Sequence, residues 1–224
     1  MHFSLPYRSD ILELAAILAS LLILLAYQWY LRRCERATPM KMARSAHAVI
    51  RGSWVKAVME RSGTEILVIQ TLRNSLMAAS FMASTAVLAL SAMINWTLVT
   101  ATENSLPDPG SAASLRPLLV NVKLVLLAST YGMSFLFNAM AARFFNHAGY
   151  LITAIAASEE LSSREVLVTA YLNRAGHHYS LGLRLFFVSL PFLASLFNGY
   201  LILPVTVFLV FIFYHFDRIP GAEG

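Results

Sequence analysis

The chain has 224 residues, 58% hydrophobic and only 13% charged, with a formal net charge of +5. Soluble domains hold about 45–50% apolar and about 25% charged residues. Here the excess gathers in runs such as 11–30 and 183–213, which excludes a soluble enzyme, a disordered chain and a disulfide scaffold, and points to an integral membrane protein.

The first run, Ile11–Tyr30, has the ~20 residues that cross a hydrocarbon core. One Arg8 precedes it and Arg32, Arg33 and Arg36 follow it. A cleaved signal peptide has the reverse flanks, so the run reads as an uncleaved anchor. Cys34 is the only cysteine; among arginines and without a partner, it fits a reducing, cytoplasmic face. In the connection 31–74, Thr38-Pro39 opens a helix and Ser62-Gly63 closes it. Between them Ala43, Ala46, His47, Ile50, Trp54, Ala57 and Val58 recur at steps of three and four, with Lys41, Arg44 and Arg51 to one side. That pattern predicts an amphipathic helix lying on headgroups or on the bundle.

A second span is expected over 75–99 and a third over 118–142, joined by a turn-rich loop with Pro107, Pro109 and Gly110. In the connection 143–182, Ser162 to Glu165 forms a capping box that opens a helix ending near Asn173–Gly176. The last apolar stretch, 183–213, would run about 46 Å as a helix, too long for one upright span. Pro191 and Pro204 interrupt it, so it reads as a shallow lead-in followed by one kinked span over 191–214.

Cationic residues orient the spans. The connection 31–74 carries nine, from Arg32 to Arg73, and the connection after the third span adds Arg143, Arg164, Arg174 and Arg184. The opposite side has Arg8, Arg116 and Arg218. Thirteen against three puts both long connections in the cytoplasm. The expected fold is a single all-α transmembrane domain over 1–224, a four-span helical bundle with both termini outside and cytoplasmic amphipathic helices. The plasma membrane or a bacterial inner membrane is its expected location.

Three segments resemble a known family. They are QTLRNSLMAASFMAST from Gln70 to Thr85, RFFNHAGYLI from Arg143 to Ile152, and YHFDR from Tyr214 to Arg218. The chain is similar along nearly its whole length to a bacterial and plant membrane family known as domain of unknown function 599. The resemblance implies a four-span membrane protein and brings no catalytic residue with it.

Two polar constellations stand out. Glu13 and Lys123 lie early in the first and third spans, at matching depth, with Asn95 at the outer end of the second. Intramembrane charges mark functional sites by default. The plainer meaning is an interfacial pair, Lys123 snorkelling to the headgroups. At the inner boundary Arg73, Asn74, Asn138, Arg143, Asn146 and His147 fall on one level and could form an anion or lipid-phosphate pocket. Positive-inside anchoring explains the same residues more simply. Small residues down the second span, from Ser75 through Ala79 to Ala83, suit close helix packing. No metal-ligand spacing, phosphate loop or nucleophile elbow occurs, so no metal, cofactor, nucleic acid or catalysis is expected. Two functions fit: a small oligomeric channel or transporter, or a non-catalytic structural or regulatory subunit that binds anionic lipid headgroups or a protein partner.

Overall fold

The computed structural model describes residues 6–61, 63–103, 115–153 and 161–219. The apolar runs become helices α1 (Pro6–Ala37), α2 (Ala43–Met59), α3 (Glu65–Glu103), α4 (Arg116–Thr153), α5 (Leu161–Phe197) and α6 (Ile202–Phe216). Short 3-10 turns at Pro39–Lys41 and Gly199–Leu201 join α1 to α2 and α5 to α6. Among the described residues the only strand-like feature is an isolated bridge between Met42 and Arg218. The capping-box side chains at Ser162 and Ser163, and the loop prolines Pro107 and Pro109, lie outside what is described.

Among the described residues five helices, rather than the expected four, are long and apolar enough to cross a membrane: Ser9–Ala37, Ile66–Val99, Arg116–Ile152, Arg164–Phe197 and Gly199–Phe216. The difference arises at the C-terminal apolar stretch. Pro191 stays inside α5. The break falls at Asn198, whose extended backbone and side chain, accepting from the Tyr200 amide, start a tight turn. So 191–214 is not one span. It is the end of one helix and most of the next, running back the other way. Pro204 falls in the first turn of α6, where a missing N–H breaks no helical bond.

This reversal also corrects the position of the C-terminal segment. The chain comes back to the level where α1 ends: the Ala43 amide donates to the Asp217 carbonyl at 3.0 Å, and the Ile219 amide to the Lys41 carbonyl at 3.2 Å. The first and last described residues therefore lie at opposite ends of the bundle, not at the same end. Arg218 moves with them. Fourteen Lys and Arg residues now belong to one end and two, Arg8 and Arg116, to the other, with Lys123 between.

The helices pack in a row, α3 on α4, α4 on α5, α5 on α6 and α6 on α1, with α2 lying on α5. At 1.5 Å per residue α3, α4 and α5 are each about 55–60 Å long, roughly twice a ~30 Å hydrocarbon core. The connection 143–182 is thus mostly the prolongation of α4 and α5. Together with α2 and the start of α3 these prolongations build a core of their own from Val55, Val68, Leu72, Phe145, Ala148, Val168 and Leu172. A second core at the other end joins Ile17, Leu119, Leu127, Phe192 and Ile202.

Helix α2 is present but rotated from its expected face. Met42, Ala46 and Val55 are buried, and Ile50 and His47 are exposed. Arg44 and Arg51 turn inward because polar partners hold them there. Arg51 Nε donates to Asn173 Oδ1 at 3.0 Å. Arg44 reaches Glu35 at 3.3 Å and His177 Nδ1 at 2.7 Å. Charge-assisted bonds of this kind outweigh the burial of one more apolar side chain.

Candidate functional site

Three polar assemblies interrupt the apolar packing. The first is at the Gly199 end. Lys123 comes from the second turn of α4 and is 4% exposed. Its ammonium donates to Glu13 Oε1 of α1 and, at 2.9 Å, to the Ser195 carbonyl near the end of α5. An amine so placed cannot snorkel; it is held by a carboxylate and a freed helix-end carbonyl. Gly199 completes the seat, since a Cβ there would lie 2.6 Å from the Glu13 carboxyl carbon. Beside it Asp10, 2% exposed, accepts from the Leu115 amide at 3.1 Å and faces Arg116 at 3.6 Å. A cleft of about 140 Å³ lies between these groups and Tyr200. Asn95 is not part of the cluster: it is exposed on α3 and gives Lys123 no hydrogen bond. Asp10 escaped the sequence reading because it precedes the apolar run; its one-turn spacing from Glu13 was the available signal.

The second assembly is buried between α4 and α5. Ser134 Oγ donates to the Gly182 carbonyl at 2.7 Å, and Asn138 Nδ2 donates to the Ser134 carbonyl at 2.9 Å. Both side chains are fully buried, and Asn138 Oδ1 has no partner among the described residues. This removes Asn138 from the expected inner pocket. Arg143 and His147 stand about 140° and 180° around α4 from Asn138, at 100° per residue, and both are exposed. Arg73 lines a separate recess of about 300 Å³ with Asn146 and Tyr150. Asn74 is exposed on α3. Of the expected residues, Arg73 and Asn146 share that recess and the others do not join it.

The third assembly lies where α2, α5 and α6 meet. There a groove of about 500 Å³ runs from Arg44, His47, Arg51, Arg184 and Asp217 down to Leu190 and Val205. Asp217 is its anchor: Tyr27 Oη donates to Oδ2 and Arg184 Nη2 to Oδ1, each at 2.5 Å. The Arg184 guanidinium also lies 4.8 Å over the Phe213 ring. Burial pushes Arg51, on α2, below its ordinary guanidinium value, yet a guanidinium stays charged at neutral pH. Arg44, His47 and Arg51 follow one another at i, i+3 and i+7 on one face of α2. The sequence pattern names all three but puts His47 on the packed face and Arg44 and Arg51 to one side of it, and it gives Arg184 only as one more inner-side charge. Among the described residues no cluster of His, Cys, Asp and Glu is arranged to hold a metal ion.

These features define an all-helical protein whose helices have the length and hydropathy of membrane spans, with its cations gathered at one end. The chain belongs to the family described as protein of unknown function, DUF599, whose sequence model matches residues 15–221. No curated protein and no solved structure matches it.

Proposed function

We propose that the protein crosses a plasma or bacterial inner membrane five times, with the Pro6 end outside and residues 217–219 at the cytoplasmic face. In this reading it works without catalysis, as a structural or regulatory membrane protein whose basic inner end binds anionic lipid. The observation that carries the reading is the groove rimmed by Arg44, Arg51 and Arg184, with Glu35 paired to Arg44, Asp217 to Arg184 and no carboxylate on Arg51 among the described residues. The charge distribution agrees with it, because cytoplasmic flanks accumulate Lys and Arg and anionic headgroups attract them by about 1 kcal/mol each near the surface. The test compares the purified full chain in nanodiscs of phosphatidylcholine alone and with one third phosphatidylglycerol. A rise in melting temperature of several degrees in the anionic bilayer is expected; identical melting in both would overturn the reading.

A second reading, a channel or transporter assembled from several copies, draws on two observations. One is the charge pair Lys123–Glu13 placed within membrane-length helices. The other is the outward face of α3, where Ser80, Ser84, Ser91 and Asn95 are exposed beside Phe81 and Leu88; a second copy or a larger complex would cover these polar groups in a bilayer. On this reading liposomes containing the protein pass small ions, and Arg73→Ala lowers the flux. Liposomes as tight as protein-free ones would eliminate it.

A further inference from the structure

The groove between α2, α5 and α6 is a recess that the packing of the helices does not fill, and its two ends differ in chemistry. At the upper end Arg184 uses one terminal nitrogen on Asp217, while the other, Nη1, is buried without a partner among the described residues. Nη1 is enclosed by protein and does not open on the groove, so Arg184 contributes positive charge there rather than a free donor. Arg51 is bonded to Asn173 through Nε, which leaves Nη1 and Nη2 as the fork that grips phosphate oxygens. Gly176 gives that fork its place: a Cβ there would lie 2.7 Å from Nη1 and 2.8 Å from Cζ of Arg51.

Below the arginines the walls are apolar, with Phe187 and Leu190 from α5 and Val205 and Phe208 from α6. From Asp217 to Val205 the groove follows α6 for about 18 Å, a little over half of a ~30 Å hydrocarbon core. It is open along α6: Phe208 and Phe216 on its lip are 63% and 76% exposed. A recess one leaflet deep, open along a helix and cationic at the headgroup level has the shape and charge of a lipid site.

We infer that this groove holds one anionic phospholipid of the inner leaflet, its phosphate taken by the free nitrogens of Arg51 beside the charge of Arg184, and one acyl chain lying between α5 and α6. The inference rests on the reading of the basic end as the cytoplasmic end. It differs from general attraction to an anionic surface in naming one seat.

The test uses the full chain in detergent, titrated by native mass spectrometry with dioleoyl phosphatidylglycerol, dioleoyl phosphatidylcholine and inorganic phosphate. Phosphatidylglycerol is expected to bind at least about tenfold tighter than phosphatidylcholine, with no binding of phosphate alone. Arg51→Gln should weaken phosphatidylglycerol by about tenfold. Val205→Trp, which fills the apolar part without touching a cation, should weaken it as well while leaving the melting temperature unchanged. A photoreactive acyl chain should mark α5 and α6 near Phe187 and Phe208. Equal retention of phosphatidylcholine, tight binding of phosphate alone, or marks confined to α3 and α4 would overturn the proposal. Marks on α3 with stabilisation by anionic nanodiscs intact would sink the groove and spare the general reading; no anionic effect of any kind would sink both.

Discussion

Lys123→Met is expected to destabilise the fold by about 3 kcal/mol, the lower end of what removing one partner of a buried ion pair costs. The lower end applies because the Glu13 side chain is 22% exposed and keeps some access to solvent, whereas Lys123 is almost wholly enclosed. Methionine preserves the length of the side chain and removes the charge, so the loss reports an unpaired Glu13 carboxylate and an unbonded Ser195 carbonyl. The double variant Lys123→Met/Glu13→Leu should recover most of the loss, since replacing both members by apolar groups is close to neutral. Reversible unfolding in mixed micelles measures both. A single variant as stable as the parent would mean that the amine is not enclosed between α1, α4 and α5.

Gly182→Leu should cost a similar amount, about 3 kcal/mol, by forcing α4 and α5 apart. At this position a Cβ would sit 2.4 Å from Asn138 Nδ2 and 2.7 Å from its Cγ. Asn138 is fully buried and bonded back to Ser134, so it has nowhere to swing. Gly182→Ala should be milder, and Gly182→Ala/Asn138→Ala milder still, because truncating Asn138 opens the space the new methyl needs. That ordering in unfolding midpoints distinguishes a steric contact from a loss of helix propensity, since alanine favours helix over glycine by about 1 kcal/mol. If Gly182→Ala stabilises the protein, the two helices are not in the close contact described.

How far the sequence could be read depended on what each residue reports. Membrane-length apolar helices were legible because burying some 20 apolar residues in a row needs no partner to explain it. The pairing of Glu13 with Lys123 was legible because an intramembrane charge demands a counter-charge and both lie at the same depth. The break at Asn198 was not, because proline is the stronger breaker by propensity and Pro191 and Pro204 lie on either side of it. Packing inside α5 absorbs the first proline, the start of α6 absorbs the second, and the turn goes to Asn198-Gly199, where Gly199 gives room to Glu13.

The inner residues show the opposite lesson. Arg73, Asn138, Arg143 and His147 were grouped by depth alone, and depth does not fix the angle around a helix. Counting 100° per residue from Asn138 already turns Arg143 and His147 to a different side of α4, where His147 meets Tyr171 edge-on at 6.1 Å. Arg51 and Arg184, 133 positions apart, gave no such signal. The packing of α2 on α5 brings the two arginines together, and the reversal at Asn198, which returns α6 beside α5, supplies the other wall of their groove.

That reversal is the feature on which the number of crossings, the place of the C-terminal segment and the groove depend, and one measurement reaches it directly. In sealed, right-side-out vesicles carrying the full chain with an epitope appended after Gly224, a membrane-impermeant protease and a membrane-impermeant maleimide probe the tag and Cys34 together. Five crossings predict that both are protected until the membrane is opened. A tag cleaved in sealed vesicles while Cys34 stays protected would restore four crossings and contradict the account.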